Sequence, residues 1–246
     1  MPAHHLEKIN IAKLKVACST CTLRELCLPI GLNAVDLDRV DSIINRRQRY
    51  KSGQHVYRTG DLFQFLYAIR LGSFKTYELN KDGREQVSGF HMAGELIGLD
   101  AISSDMHVCS AVALEDGEIC EIPFVKLESL SREIPTLQRQ FHRFMSREIT
   151  SDHRLMMLLG TLTAEERLAT FLSNLSERLQ ARGFSPRTIH LTMSREEIGN
   201  YLGLKLETVS RMFSKFQEEG LVEVDRRELK IKDTEALKRI AECNKP

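Results

Sequence analysis

The chain has 246 residues, of which 42% are hydrophobic and 28% charged, and this length fits one large domain or two modest ones. The composition excludes a disordered, collagen-like or purely coiled-coil chain. No run of about eighteen apolar residues occurs, and the N-terminus lacks the apolar core of a signal peptide, so we expect a cytoplasmic protein without a membrane partner. Because 35 basic residues balance 34 acidic ones, a nucleic-acid partner would need a local basic face.

A cluster of cysteines lies near the N-terminus, where Cys18, Cys21 and Cys27 occur within ten residues. In a reducing compartment, clustered cysteines more often hold a metal or take part in redox chemistry than form disulfides. Together with Cys120, they supply four thiolates, which is sufficient for a [4Fe–4S] cluster or for zinc. A structural zinc site usually shows two short Cys-x2-Cys pairs, and only one such pair exists here, so the spacing favours the iron–sulfur interpretation.

Residues 53–123 are divided by glycines into short apolar runs, such as residues 65–69. Short strands at this spacing are typical of an antiparallel barrel or jelly roll. Cys109 lies in one of the apolar runs and is expected in the core, whereas Cys243 near the C-terminus has no evident partner.

A long helix is predicted between residues 127 and 159, which contain no glycine and only Pro135, a residue that can begin a helix. One face follows the 3-4 spacing of a two-stranded coiled coil, through His142, Met145, Ile149, Asp152, Met156 and Leu159. Packing of this face against its own domain is the alternative, which periodicity does not exclude. In a two-fold pair, two Asp152 carboxylates would oppose association, so we expect a weak dimer that another site can switch.

The C-terminal region carries the signals of a helix-turn-helix. Ser194 is followed three residues later by Glu197, a capping box that begins a short helix, and Gly203 marks the turn before a second helix over residues 207–216. Two alternating segments then match the strands of a wing: residues 221–224 and 228–231. The sequence therefore predicts a winged helix.

The second of these helices presents Glu207, Ser210 and Arg211 on one face. Arginine can donate two hydrogen bonds to guanine, a carboxylate can accept from cytosine N4, and serine can reach a base edge or a phosphate. On an isolated helix, the triplet would be a solvated face with an i, i+4 ion pair. Inside a capped helix-turn-helix, we expect it to read DNA bases.

The segment 191–204, with the cysteine cluster, the barrel and the long helix, resembles the FNR/ANR branch of the CRP/FNR transcription regulators over nearly the full chain. Further similar stretches are residues 66–70, 89–91, 120–124, 164–168 and 182–186. The resemblance implies an α+β fold with an antiparallel jelly-roll barrel of the cyclic-nucleotide-binding type, a dimerisation helix and a C-terminal winged helix-turn-helix. We expect four parts: a cysteine-rich segment 1–30, a sensor domain 31–130, a dimerisation helix 131–160 and a DNA-binding domain 161–246.

The resemblance implies an oxygen sensor and not an enzyme. Cys18, Cys21, Cys27 and Cys120 match the family's ligands of an oxygen-labile [4Fe–4S] cluster, which carries negative charge. Nearby cations could offset this charge: Lys13, Lys15 and Arg24. The cluster-loaded protein is expected to be a homodimer, and oxygen would convert the cluster to a [2Fe–2S] form and leave a monomer.

The implied partners are double-stranded DNA and RNA polymerase. Glu207, Ser210 and Arg211 match the residues that read each half of a TTGAT-N4-ATCAA palindrome, so the resemblance implies control of genes of anaerobic metabolism. The barrel loop 80–85 corresponds to a surface that touches RNA polymerase in related activators. An acidic residue is usual there near the position of Arg84, which puts the strength of activation in question.

Three other interpretations were weighed. Related barrels bind a cyclic nucleotide through a Gly-Glu pair and a later Arg; Gly94 and Glu95 are present, but residues 105–111 contain no Arg, so no cyclic nucleotide is expected. A regulator with a different effector or a zinc site is one alternative. The other is a cupin-like metal oxygenase, which is disfavoured because no His-x-His pair occurs among its candidate ligands, His55, His91 and His107.

Overall fold

The structure, a computed structural model, describes residues 18–80 and 82–242. Three residues considered above therefore lie outside the described residues: Lys13, Lys15 and Cys243. Across the described part of the chain, no helix combines the length and the apolar character that are required to cross a lipid bilayer.

Eight strands in the N-terminal half form two antiparallel four-stranded sheets. The strands are β1 (Arg46–Tyr50), β2 (His55–Tyr57), β3 (Phe65–Leu71), β4 (Ser73–Leu79), β5 (Glu85–Met92), β6 (Leu96–Ile97), β7 (Ser110–Ala113) and β8 (Gly117–Pro123). One sheet has the order β1-β8-β3-β6 and the other β2-β7-β4-β5. Side chains from both sheets meet in one core cluster, which includes Tyr57, Phe74, Ile119 and Cys109. The predicted jelly-roll barrel is confirmed, and Cys109 lies in its core just before β7.

Glycine is required where two turns of the barrel approach each other. Gly72, between β3 and β4, has a φ of +83°, and a Cβ atom there would lie 2.9 Å from the Cα of Gly117. A side chain at either position would separate β3 from β8. The glycine spacing in the sequence thus reflects a steric requirement as well as turn conformation.

Helices α1 (Ala34–Ile43), α2 (Phe124–Glu133) and α3 (Pro135–Thr161) cover one end and one side of the barrel. The predicted long helix is present as α3 and begins at Pro135, and the chain breaks before it at Ile134. Pro135 lacks a backbone N–H and disfavours a helical conformation in the residue before it, and Ile134 has an extended φ of −116° and ψ of 93°. The chain therefore forms two consecutive helices here, α2 and α3, instead of one.

Helix α3 carries two apolar stripes. The inner stripe is buried and includes Leu137, Phe144 and Leu158. The outer stripe is the predicted seam, and within it Ile149 and Met156 are 56% and 61% exposed. A single copy of the chain therefore buries the inner stripe and leaves side chains of the outer stripe exposed.

The C-terminal region contains α4 (Ala164–Ala181), β9 (Thr188–His190), α5 (Arg195–Leu202), α6 (Leu206–Glu218), β10 (Val222–Asp225), β11 (Glu228–Ile231) and α7 (Thr234–Glu242). Strands β10, β11 and β9 form an antiparallel sheet with β11 in the middle. The capping box of Ser194 and Glu197 is present, and Gly203 ends α5 in the left-handed conformation with a φ of +64°. The predicted winged helix-turn-helix is confirmed.

The C-terminal region packs directly on the second sheet of the barrel. The ring of Phe90 in β5 lies 5.9 Å from that of Phe171 and 5.2 Å from that of Tyr201. The backbone N–H of Val87 donates to Oδ1 of Asn200 at 2.5 Å. One continuous hydrophobic cluster therefore joins the barrel to the helix-turn-helix.

Candidate functional sites

The thiols of Cys18, Cys21, Cys27 and Cys120 line one cavity of about 40 Å³ between the N-terminal segment and the first sheet. All four cysteines are free and half-buried. The rest of the wall consists of apolar side chains, Arg24, Arg70 and backbone. The fold thus brings Cys120 to the three N-terminal cysteines, from which it is separated by about a hundred residues in the sequence.

Tight local turns hold three of these cysteines. Cys18 opens a single 3-10 turn, Cys18–Thr20, and its backbone N–H donates to Oδ1 of Asp41 at 3.0 Å. The N–H of Cys21 donates to the carbonyl of Cys18 at 3.3 Å, and the N–H of Cys27 donates to the carbonyl of Leu23 at 2.9 Å. These turns keep the three side chains on the side of the segment that faces the barrel.

The fourth cysteine lies on a rigid strand. Cys120 is in the middle of β8, opposite Arg47 on β1 and Ala68 on β3. Burial raises the pKa of Cys120, whereas the guanidinium groups of Arg47 and Arg70 act in the opposite direction. Burial is also the main reason why the pKa values of Cys18 and Cys27 are raised to about 12. As free thiols, these side chains are therefore protonated at neutral pH.

Within residues 18–80 and 82–242, no group of three or more His, Cys, Asp or Glu side chains is arranged to hold a metal ion. A zinc ion needs four ligands that converge on one point. A [4Fe–4S] cluster is different, because each of its four thiolate ligands binds its own iron, so the sulfurs surround the group. Four cysteines around an apolar cavity are the appropriate ligand set for such a cluster.

The three histidines of the cupin-like alternative do not converge. Each forms its own hydrogen bond within the barrel: His55 with the hydroxyl of Tyr77 at 2.8 Å, His91 with the hydroxyl of Thr76 at 3.0 Å, and His107 with the carboxylate of Asp100 at 3.3 Å. They act as ordinary hydrogen-bonding residues of separate strands and loops.

Glu95, which the sequence suggested as part of a ligand site, is bound by the chain's own arginines. Arg178 of α4 donates to Oε2 of Glu95 at 2.7 Å and to the carbonyl of Phe90 at 2.6 Å. Arg182 also donates to this carboxylate, and to the carbonyl of Ala93 at 2.7 Å. The two guanidinium groups overcome the effect of burial and lower the pKa of Glu95. Sequence reasoning missed this pairing, because the partners are 83 and 87 residues away.

The predicted dimer seam lies on the outer face of α3. His142, Ile149, Asp152 and Met156 are exposed, whereas Met145 and Leu159 are half-buried. The described residues of a single chain therefore leave four of the six predicted seam residues exposed. Whether it forms the dimer interface remains a prediction.

Glu148 was missed by the analysis of the seam, because it belongs to the inner stripe of α3. It lines a cavity of about 360 Å³ between α3, α4 and the barrel, together with Glu95, Asp152 and Arg178. Burial, followed by the negative charges of Asp152 and Glu95, raises the pKa of Glu148 to about 7, against the opposing effect of Arg178. A carboxyl group with this pKa changes its charge near neutral pH.

The predicted DNA-reading face is open to solvent. Glu207, Ser210 and Arg211 are all exposed on α6, opposite Val209 and Phe213, which are buried. The apolar side of the helix packs into the core, and the polar triplet faces the solvent. This orientation would allow the triplet to contact a ligand in front of α6.

A jelly-roll barrel followed by a long helix and a winged helix-turn-helix defines a class of DNA-binding transcription regulators with a sensor domain. A cyclic nucleotide-binding domain family matches residues 47–133, and a Crp-like helix-turn-helix domain family matches residues 166–240. Together with the full-length relatives described next, these matches show that the chain belongs to the CRP/FNR family of transcription regulators.

The relatives cover most of the chain. The transcriptional activator protein Anr of Pseudomonas protegens is 49% identical, over 88% of each chain. The fumarate and nitrate reduction regulatory protein of Escherichia coli is 44% identical, over 96% of this chain and 94% of its own. The solved structure of FixK2 from Bradyrhizobium japonicum is 30% identical, with a TM-score of 0.73 over 79% of this chain and 96% of its own. Because the relatives are named as regulators, the prediction that the chain is not an enzyme is confirmed.

The raised pKa of Glu148 predicts a pH-dependent stability of the cluster-free protein. In the unfolded chain the carboxyl ionises near its ordinary value of 4.5, whereas in the folded chain it stays protonated up to about pH 7. Its ionisation therefore lowers stability as pH rises through this window. Replacing it by glutamine should raise the free energy of unfolding at pH 8 by roughly 1–3 kcal/mol more than at pH 5.

Urea unfolding at the two pH values measures this difference. Glu177→Gln, at an exposed position of α4, is the matched control and should change stability equally at both. An equal effect of Glu148→Gln at pH 5 and pH 8 would show that its carboxyl is not perturbed.

Proposed function

We propose that this regulator senses oxygen through a [4Fe–4S] cluster held by Cys18, Cys21, Cys27 and Cys120. The observation that carries the proposal is that these four cysteines line one mainly apolar cavity. One relative is named a transcriptional activator and another a fumarate and nitrate reduction regulatory protein, which supports control of genes of anaerobic metabolism. As a DNA-binding protein of this kind, the chain would act in the cytoplasm.

The bound cluster would supply an oxygen-labile inorganic group with negative charge. Arg47 and Arg70 flank Cys120 and would offset that charge on the barrel side. Each of the four thiolates would bind its own iron, so loading of the cluster would reposition the segment 18–30 relative to the barrel.

The cysteine segment and the dimer helix share one hydrophobic core, which would couple the two sites. Leu28 directly follows Cys27 and is fully buried in the same cluster as Leu127 of α2 and Leu137 of α3. A shift of the segment would change the packing at the start of α3. The free energy of cluster binding could then bias the position of the whole helix.

The outer stripe of α3 would form the homodimer. Burial of Ile149 and Met156 favours association, whereas apposition of two Asp152 carboxylates opposes it. The cluster-loaded chain would be the dimer and the oxidised chain the monomer. The two-fold pair would place two α6 helices in successive major grooves, where Glu207 and Arg211 would read the halves of a TTGAT-N4-ATCAA palindrome.

Contact with RNA polymerase would involve the exposed hairpin between β4 and β5. Arg84 in this hairpin pairs with Asp82 at 3.1 Å, and both side chains are largely in solvent. This pairing offsets the positive charge at a position where related activators usually carry an acidic residue. The hairpin would therefore differ in charge from the contact surface of those activators.

The first experiment measures iron and acid-labile sulfide in protein purified without oxygen. We expect about four of each per chain and a visible absorbance that bleaches toward a two-iron spectrum in air. Cys120→Ser should abolish most of both, whereas Cys109→Ala, which removes a core thiol outside the cavity, should retain them. Zinc in place of iron, or full iron content in Cys120→Ser, would contradict the proposal.

Replacing Asp152 by alanine should strengthen the dimer, because it removes the repulsion between two apposed carboxylates. Analytical ultracentrifugation of air-exposed protein should show an association constant of the dimer that is roughly tenfold higher than in the wild type. Asp38→Ala, at an exposed position of α1, should leave the protein monomeric. If the two variants associate equally, Asp152 does not lie in the interface.

Replacing Arg211 by alanine should weaken binding to the palindrome by roughly 1–3 kcal/mol per half-site and relax the preference at one base pair. Fluorescence anisotropy with the cluster-loaded protein at fixed salt measures both effects. Arg239→Ala, an equal charge change at an exposed position of α7, is the control and should keep full sequence preference. Loss of affinity without any loss of sequence preference would assign Arg211 to a phosphate contact.

A further inference from the structure

One arginine joins the end of the long helix to the helix-turn-helix. The guanidinium of Arg167 donates three hydrogen bonds to backbone carbonyls: from Nη2 to Leu159 at 2.7 Å, from Nε to Leu162 at 2.9 Å and from Nη1 to Leu202 at 3.0 Å. Leu159 is in the last turn of α3, Leu162 caps that helix, and Leu202 is the last residue of α5. Two helices, α3 and α5, are thus held by a single planar group on a third helix, α4.

The arrangement satisfies groups that helices leave without partners. The last four carbonyls of an α-helix have no intrahelical donor, and a cation near a helix C-terminus is favoured by the helix dipole. Arg167 supplies donors to the C-terminal ends of both α3 and α5. Only a guanidinium offers donors in a fixed fork that can span three acceptors, and the compact ammonium of lysine does not.

The turn of the helix-turn-helix is in contact with the same junction. Gly203, which ends α5 with a φ of +64°, is so close that an added Cβ would lie 3.3 Å from Nη1 of Arg167 and 3.3 Å from Cδ2 of Leu159. The side chain of Arg167 is half-buried, whereas the triplet on α6 is exposed. The three hydrogen bonds of Arg167 go to backbone carbonyls of α3, its cap and α5, and none of them involves the triplet.

We propose that Arg167 is a positioning residue for DNA binding, which fixes the angle between α3 and the helix-turn-helix. The inference rests on the proposed dimer and its palindromic site. In that dimer, α3 lies along the two-fold axis, so the angle at its end determines how far apart the two α6 helices lie. A stiff junction matches one half-site spacing and disfavours others.

The preference of the protein for one half-site spacing provides the test, because a loss of stability alone would not change this preference. Each inserted base pair moves one half-site by about 3.4 Å and rotates it by roughly a tenth of a turn. A rigid dimer should therefore lose most of its affinity for a site with an N5 spacer. A dimer with a loosened junction should bind the N4 site more weakly and should lose less on going to N5.

The experiment measures the affinity of the cluster-loaded protein for TTGAT-N4-ATCAA, for the N5 site and for a single half-site, without oxygen. For Arg167→Gln, we expect about tenfold weaker binding to the N4 site, a reduced N4-to-N5 ratio and unchanged binding to the half-site. Arg167→Lys should fall between this variant and the wild type. Arg239→Gln, at an exposed position of α7, should keep the wild-type ratio.

The outcomes separate this inference from the proposed function. A wild-type protein without a preference for N4 over N5 would overturn the palindromic dimer, and the inference with it. If the wild type prefers N4 over N5 and Arg167→Gln keeps the same N4-to-N5 ratio, the positioning role alone is overturned, whatever the affinity of the variant. If thermal unfolding shows that Arg167→Gln does not fold, the N4-to-N5 ratio of Arg167→Lys decides.

Discussion

Helix α3 must satisfy two environments at once, and the organisation of the molecule depends on this constraint. Its inner stripe packs on the barrel, and its outer stripe leaves Ile149 and Met156 more than half exposed. Full burial of such a side chain contributes about 1.5–3 kcal/mol. Desolvation of an ion costs several kcal/mol, so in the proposed dimer two apposed Asp152 carboxylates would offset much of that gain. Two opposing contributions of similar size would leave a weak association, which a small additional free energy could strengthen or abolish.

The position of the C-terminal region depends on a charge pairing at the edge of the barrel. Glu95 is held by Arg178 and Arg182, which also bind the carbonyls of β5 and the turn after it. A charge removed from water must be paired, and here the partners come from the DNA-binding half of the same chain. Glu148 lies beside this pairing, and burial together with the negative charges of Asp152 and Glu95 raises its pKa against the opposing effect of Arg178.

Local signals in the sequence predicted local structure well. The capping box at Ser194 and the glycine at position 203 determine where α5 begins and ends, because both act within one helical turn. Pro135 predicted a helix start but also divides the helix, since its ring constrains the residue before it. Long-range pairings were not predictable. No spacing rule connects Glu95 with Arg178, and the contacts of Arg167 depend on three elements that only the fold brings together.

The cysteine segment contacts the N-terminal half of the molecule at two separate places. At one end, Leu28 is buried in the core that includes the start of α3. At the other end, Leu26 lies against Gly94. A Cβ atom added to Gly94 would lie 2.9 Å from the Cβ of Leu26. Gly94 directly precedes Glu95, which the arginines of α4 hold. Displacement of this short segment would therefore act on the dimer helix through apolar packing and on the DNA-binding region through the Glu95 pairing. A single event at the cysteines can then change both the association of two chains and the orientation of their DNA-reading helices.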